Sequence, residues 1–533
     1  MLTLLVTLAV AVSIVTCAPT RPGRPHHFKG QPISTTVDLG YSKYQGLDLE
    51  PAGVKQWLGI RFAAPPTGDL RWRAPQEPPL NNSEVLPATQ FGATCIGYWI
   101  ETLSDIVNED CLYLDVFAPA NVTTESNLPG NKVQINYRVG VYGFLASETI
   151  RGNGDLNVGL LDQRFALHWV QNYIHLFGGN REHVVIHGDS AGAGSVAYHM
   201  TAYGGRNDNL FVGGMAESEF WPTHRTVPEM EFQFDEFAAN VSCSATEAPN
   251  GDVLACLRSK DTVTLQSADH QGTFPDASGV AEWWFLPVVD GTFSTDYLYN
   301  LFEQGKVVPV PLLVGDDTDE GTGFAPNATN STEFMTFIKS NFPKLSEADL
   351  QLINETYPED GFGTFPNHAA YFAATETAYG ENTFICPGIE MSNSLSTFNS
   401  PAEVWNYRYN VQDQQNIAAG LGVPHVSEKP AIWGVNNTGP CDGCSYETYN
   451  AAIVPVMMSY WLSFVVSLNP NTHKDPSAPY WAPWVAGSEG YGNGTDEVQR
   501  IVIETNATRM ETVPSAQLKR CEFWLSLANV TEQ

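Results

Sequence analysis

The stretch His183-Val184-Val185-Ile186-His187-Gly188-Asp189-Ser190-Ala191-Gly192-Ala193-Gly194 constrains the fold more than any other part of the chain. A short β-branched run enters a Gly-x-Ser-x-Gly turn, and small residues able to start a helix follow, which is the strand–turn–helix setting that exposes a serine nucleophile. Ser190 is the candidate nucleophile. Glycines are expected at Gly188 and Gly192 because so sharp a turn leaves no room for side chains beside the hydroxyl. The pentapeptide alone is a weak signal in a Gly- and Ser-rich chain; its surroundings strengthen it. Upstream, Phe165, Trp169, Tyr173 and Phe177 recur every fourth residue, and Gly178-Gly179-Asn180 supplies a helix stop. Helix, short loop, apolar strand and tight turn is the order of an α/β sheet with a parallel core.

At 533 residues the chain could hold several domains, but no Pro/Ser-rich linker, low-complexity tract or repeat divides it. The expectation is a single α/β domain over residues 19–533 behind a signal peptide at 1–18. Leu2 to Val15 is almost wholly apolar and ends at small residues near Cys17 and Ala18. The stretch is short for a bilayer span, so no stable membrane anchor is expected after cleavage. Sequons at Asn81, Asn121, Asn240, Asn327, Asn330, Asn354, Asn436, Asn493, Asn506 and Asn529 agree with export and an extracellular location. A net charge of −32 with only 27 Lys and Arg argues against a nucleic-acid partner, because phosphate binding needs clustered cations.

Removal of Cys17 leaves eight cysteines, read in an oxidising compartment as four disulfides. Cys95 with Cys111 and Cys243 with Cys256 close short loops. Cys441-x-x-Cys444 reads as a small structural loop, since no second CxxC or His pair points to zinc. Cys386 and Cys521 remain for each other.

Further strands are predicted over residues 109–117, 133–139, 308–315 and 402–411, and a last long helix over 446–468 with Val454, Met458, Trp461 and Val465 on one face. A serine nucleophile needs a base to take its proton and an acid to orient that base. When these follow the nucleophile in the order acid then His, the histidines left are His368, His425 and His473, and only His425 comes on a loop soon after a convincing strand. For the acid, Asp316, Asp317, Asp319 and Glu320 all lie beyond one strand, and the physics of the residues does not choose among them. A calcium loop competes for these acids, but the EF-hand spacing is absent.

The motifs Gln56-Trp57-Leu58-Gly59-Ile60-Arg61-Phe62, Glu109-Asp110-Cys111-Leu112-Tyr113-Leu114, Asn136-Tyr137-Arg138-Val139-Gly140, Leu286-Pro287-Val288-Val289-Asp290-Gly291, Asp317-Thr318-Asp319-Glu320-Gly321-Thr322 and Gly422-Val423-Pro424-His425 run nearly end to end around the Ser190 turn. Together they resemble the type-B carboxylesterases, a family that includes cholinesterases and extracellular fungal lipases. The resemblance implies an α/β-hydrolase fold with a large, mostly parallel central sheet, and hydrolysis of small-molecule or lipid esters with no cofactor or metal. It implies Ser190 as nucleophile, Glu320 as acid, His425 as base and the Ala191 amide as an oxyanion donor. It also supports the pairings Cys95–Cys111, Cys243–Cys256 and Cys386–Cys521. Asp189 stands where relatives usually have Glu.

One departure is large. Members of the family place another strand and a Gly-rich turn ahead of the Asn-Tyr-Arg strand, whereas here Leu128-Pro129-Gly130-Asn131-Lys132 runs straight into Val133. The resemblance implies that two oxyanion donors and the strand beside the nucleophile strand are missing. Residues 133–139 must then pair with 184–187, admit water, or leave the chain unable to fold. The expected activity is ester hydrolysis with impaired turnover. The competing expectations are a non-catalytic, cholinesterase-like adhesion protein, or a splicing or exon-prediction error in an ordinary esterase. Trp283, Trp284 and Phe285 are expected to line an acyl pocket. The short Cys95–Cys111 loop, with Tyr98, Trp99 and Ile100, points to soluble esters over bulky triglycerides.

Overall fold

A computed structural model of the chain describes residues 30–97, 103–123, 130–397, 403–439, 443–486 and 497–533. The expected leader, Tyr98-Trp99-Ile100, Leu128-Pro129 and Cys441 lie outside these residues.

The strands fall into two main sheets. The first holds β1 (Leu47–Leu49), β2 (Val54–Arg61), β3 (Tyr113–Pro119) and β4 (Lys132–Ile135), each antiparallel to the next. The second holds β5 (Val185–Asp189), β6 (Gly213–Glu217), β7 (Leu312–Asp317), β8 (Val404–Tyr409), β9 (Gln499–Ile503) and β10 (Arg509–Thr512), in that spatial order. Its first five strands are parallel and only β10 is antiparallel. The helices that matter to the site are α1 (Gly140–Phe144), α2 (Val158–Tyr173), α3 (Ala191–Gly205), α4 (Cys386–Thr397), α5 (Lys429–Trp433), α6 (Ile453–Ser467) and α7 (Ser515–Thr531).

The parallel strands are apolar on both faces because helices cover both. Val196 and Met200 of α3 and Ile389 of α4 share a core with Ala216, Leu312 and Val314, and Met457 and Phe464 of α6 share the opposite one with Met215, Leu313 and Trp405. The predicted 446–468 helix is shorter than expected, and its buried stripe is Ile453, Met457, Tyr460, Trp461 and Phe464. Val454, Met458 and Val465 lie at the rim of that stripe, half-buried. Pro309 and Pro311 precede β7, where they remove no ladder hydrogen bond. Helix α2 continues as a 3-10 turn over Ile174–Phe177 and stops at Gly178 with φ 76°, the left-handed end that the Gly-Gly-Asn signal predicts.

The expected mostly parallel central sheet is present as the second sheet, with a gap beside β5 where a strand was expected to be missing. Strands β4 and β5 each end a sheet, and among the described residues they do not pair with each other. The expected strand over 133–139 stops at Ile135, so the re-pairing of 133–139 with 184–187 does not occur. Lys132 and Gln134 are exposed, and Val133, Ile135, Val185 and His187 are half-buried. Ile186, between Val185 and His187, is buried, and a buried edge group left without a partner costs about 1 to 3 kcal/mol.

Disulfides join Cys95 to Cys111, Cys243 to Cys256 and Cys386 to Cys521. The last ties α4 to α7. Cys444 is also disulfide-bonded.

Candidate active site

Ser190 sits at the tip of the turn from β5 into α3 with φ 56° and ψ −122°, a strained conformation for a residue with a side chain. Two backbone bonds hold it there: the Ser190 N–H donates to Glu217 O at 2.9 Å, and Gly194 N–H donates to Ser190 O at 3.0 Å. A Cβ on Gly188 would lie 2.2 Å from the backbone carbonyl of Gly192, so Gly188 must lack one. The matching expectation for Gly192 is corrected: a Cβ there meets nothing within 4 Å. The crowding is one-sided because Gly188 points into the turn and Gly192 away from it.

The acid and base loops reach Ser190 by pairing with each other. Asp319 and Pro424 form a parallel bridge, Asp319 N–H donates to Val423 O at 3.0 Å, and Val423 N–H donates to Asp319 Oδ2 at 2.7 Å. A Cβ on Gly422 (φ +63°) would sit 2.1 Å from that same Asp319 oxygen, which explains the glycine. The bridge sets Glu320 beside His425. His425 Nδ1 lies 2.5 Å from Glu320 Oε2, and His425 Nε2 lies 2.8 Å from Ser190 Oγ. An ionised Glu320 only accepts, so Nδ1 carries the proton and Nε2 offers its lone pair to the serine hydroxyl. Glu320 is buried, and its second oxygen accepts the Asp317 N–H at 2.7 Å. The choice among the four acids is therefore made by geometry: Asp319 and Asp317 hold backbone amides of the His loop, and Glu320 alone reaches the imidazole.

His368 stacks on Phe372 at 3.6 Å, and the backbone N–H of His473 donates to Ser463 Oγ. Neither approaches Ser190.

Ala191 is the first residue of α3, so its amide has no acceptor within the helix and is free for an oxyanion. Its carbonyl accepts from Ser195 Oγ at 2.8 Å, Ser195 accepts from Gln163, and Gln163 bonds the buried His199. This chain braces the first turn of the helix from behind.

A pocket open to solvent on one side extends from Ala191 along Tyr137, Phe220 and Leu286 to Trp283, Trp284 and Phe285. All three expected aromatics therefore border it, but unequally. Trp283 and Phe285 are half-buried, whereas Trp284 is buried with its ring 4.9 Å from Phe274 and is chiefly a core residue. Trp283 donates its indole N–H to Tyr379 and packs on Phe220.

Two site aromatics escape the sequence reading. Phe384 lies 4.4 Å from the His425 ring and Phe324 lies 5.1 Å from it in an edge-on arrangement, and the two phenyl rings stack on each other at 5.4 Å, so the imidazole packs against an apolar pair. Phe384 belongs to a π-helical segment, Glu381–Ile385, a distortion with no local sequence signature. Phe324, four residues after Glu320, had only that spacing to mark it. Asp189 is paired with Lys429 of α5 at 2.7 Å, so the acid beside Ser190 is anchored to the helix that follows His425. Among the described residues no cluster of three or more His, Cys, Asp or Glu side chains is arranged to hold a metal ion.

The carboxylesterase family matches residues 34–129 and 132–524, in two blocks that break between β3 and β4. Secreted lipase 4 of Gibberella zeae is 28% identical over 541 residues, covering 93% of this chain and 91% of that protein. Lipase 1 of Geotrichum candidum is 33% identical over 450 residues, 70% of this chain and 79% of its own. The crystal structure of Aspergillus niger EstA superposes with a TM-score of 0.88 at 47% identity, covering 94% of this chain and 99% of that one. A match over most of the chain, with this α/β-hydrolase architecture, means that the protein belongs to the carboxylesterase family and is a carboxylic ester hydrolase.

Proposed function

We propose that the chain is a secreted serine esterase that works through an acyl-enzyme on Ser190. Ser190 Oγ attacks the ester carbonyl as His425 Nε2 takes its proton, and Glu320 steadies the imidazolium that forms. The tetrahedral oxyanion takes a hydrogen bond from the Ala191 N–H. Collapse breaks the bond to the alkoxy group, and His425 returns the proton to the departing alcohol. Water, deprotonated by the same imidazole, then releases the acid and restores the hydroxyl. The observation that carries this reading is the unbroken line of hydrogen bonds from Ser190 through His425 to Glu320.

The cavity wall of Trp283, Phe285 and Phe220 favours an apolar acyl group of modest size. With Ala191 as the elbow donor and no Gly-rich turn ahead of Asn136, turnover is impaired. Removal of one such donor costs about 2.7 to 4 kcal/mol of barrier. Export is supported by the disulfides, the apolar leader, the sequons and the name of the Gibberella zeae relative. No described helix is long and apolar enough to cross a membrane. A non-catalytic adhesion role draws no support from a hydrogen-bonded Ser-His-Glu set.

The test is hydrolysis of chromogenic short-chain esters by the purified protein beside Ser190→Ala. The wild type is expected to release chromophore and acquire a Ser190 adduct with an organophosphonate, and the variant to do neither. Equal rates in the two proteins would end the catalytic reading.

A further inference from the structure

Two buried acids behind the triad have no part in the chemistry above. We propose that Asp317 and Glu428 share a single proton and form a positioning pair for the catalytic base, latching the His425 loop to the end of β7 until alkali removes that proton. The proposal rests on the reading of Ser190, His425 and Glu320 as a triad.

Asp317 touches both triad loops. Its backbone N–H donates to Glu320 Oε1 at 2.7 Å, and its Oδ2 accepts the N–H of Ser427, two residues past His425, at 2.9 Å. Glu428 follows Ser427 directly, and its Oε1 accepts from Tyr407 Oη at 3.0 Å. Tyr446 Oη donates to Ser427 O at 2.7 Å. Between His425 and Ser427 stands Val426 at φ 57°, a costly conformation for a β-branched residue that these contacts hold in place.

Each acid keeps one further oxygen, Asp317 Oδ1 and Glu428 Oε2, buried and without another donor, and the two side chains lie within hydrogen-bond reach of each other. Two carboxylates in such contact do not both ionise, and one proton between them satisfies both free oxygens. The surroundings reinforce this. Glu320 and Glu217 act on the pair by like charge, Asp316 beside them is itself held well above the usual carboxylate range by burial, and Tyr407, Tyr409 and Tyr446 offer neutral hydroxyls. The nearby cations are committed elsewhere: Lys429 to Asp189, and Arg408 and Arg500 to Glu511, with Arg500 acting on Asp316. Burial and these neighbours push Asp317 well above the usual carboxylate range and Glu428 up to about 7. Loss of the shared proton sets two like charges against each other beneath Ser427, and the latch opens on the base.

The experiment compares wild type, Asp317→Asn and Glu428→Gln by the pH dependence of kcat on a chromogenic ester and by Tm from pH 5 to 10. An amide at either position supplies the missing hydrogen without a titrating proton. Both variants are expected to move the alkaline limb of kcat up by at least one pH unit, leave the acid limb in place, and lose less Tm above pH 7 than wild type. Asp317→Ala is expected to lose kcat about 10- to 100-fold with KM little changed, the cost of a misplaced base. Alkaline limbs and Tm curves that coincide with wild type in both amide variants overturn the proposal. If hydrolysis proves insensitive to Ser190→Ala, the triad reading fails, and the Tm curves alone decide whether the pair shares a proton.

Discussion

The ammonium of Lys132 lies 3.8 Å from the centre of the Trp433 ring, and Trp433 in turn stacks on His187 at 5.2 Å. Lys132 opens the last strand of the smaller sheet, His187 lies in the nucleophile strand of the larger one, and Trp433 ends the helix behind His425. Where no backbone ladder joins β4 to β5, this cation–aromatic stack spans the division. Lys132→Ala is expected to cost about 0.5 to 1 kcal/mol, the worth of such a contact at an exposed site, read from urea unfolding. Unchanged stability would mean that the two sheets are joined by their buried cores alone.

Turnover should rise if the oxyanion donors are restored. Inserting the strand and Gly-rich turn of a family member between Pro129 and Lys132 is expected to raise kcat at least about 100-fold, the effect of a single recovered donor. A graft that folds and stays slow would show that Ala191 suffices. Sequencing the transcript across 129–133 is the matching check on the message, since extra codons there would mark the division as a splicing or exon-prediction error.

The two elbow glycines are expected to behave differently. Gly188→Ala drives a Cβ into the Gly192 carbonyl and should abolish both the elbow and activity. Gly192→Ala faces open space and should fold and form the Ser190 adduct. Equal loss in the two variants, scored by Tm and phosphonate labelling, would count against this geometry.

Asp269 lies under the cavity wall, its Oδ2 2.9 Å from the place a Cβ on Gly140 would occupy. Burial pushes its carboxyl up to about 7, with the Val141 amide drawing it partly back. A folded-state value above the unfolded one means that the folded protein holds an extra proton between the two values, so stability present below about pH 4 is lost as pH rises through 7. Asp269→Asn is expected to match wild type in Tm near pH 4 and to melt higher at pH 8. A constant difference across that range would mean that the carboxyl is ionised throughout.

The Cys386–Cys521 bridge closes a loop with a sequence separation of 135. Chain entropy predicts that its loss costs about 5 kcal/mol, against about 3 for the Cys243–Cys256 loop. The Cys386→Ala/Cys521→Ala protein should therefore unfold at lower denaturant than the Cys243→Ala/Cys256→Ala protein. The reverse order would show that native contacts, not loop closure, set the difference.

Ser190 was legible because a strand, a glycine-bounded turn and a helix are adjacent in sequence, and His425 because acid and base follow in a fixed order. The acid was not legible from residue chemistry alone. Asp316, Asp317, Asp319 and Glu320 are equally acidic, and only the Asp319–Pro424 bridge, joining loops about a hundred residues apart, aims one of them at the imidazole. Helix α2 was visible through its every-fourth-residue aromatics. The buried face of α6 was misplaced by a residue because that helix is apolar nearly all round, which leaves the partner surface to choose the inward side.

What the chain alone determined was local chemistry: which serine could stand on a tight turn, which cysteines could pair over short loops, and where an expected strand was absent. What tertiary structure decided was everything that depends on approach between distant segments. It left β4 and β5 unpaired, with Trp433 stacked on His187 and Lys132 over Trp433 across the gap. It packed the stacked pair Phe324 and Phe384 against His425, and it brought Asp317 against Glu428. These depend on the relative position of elements far apart in sequence, and periodicity and composition report only what each element presents, not what it meets.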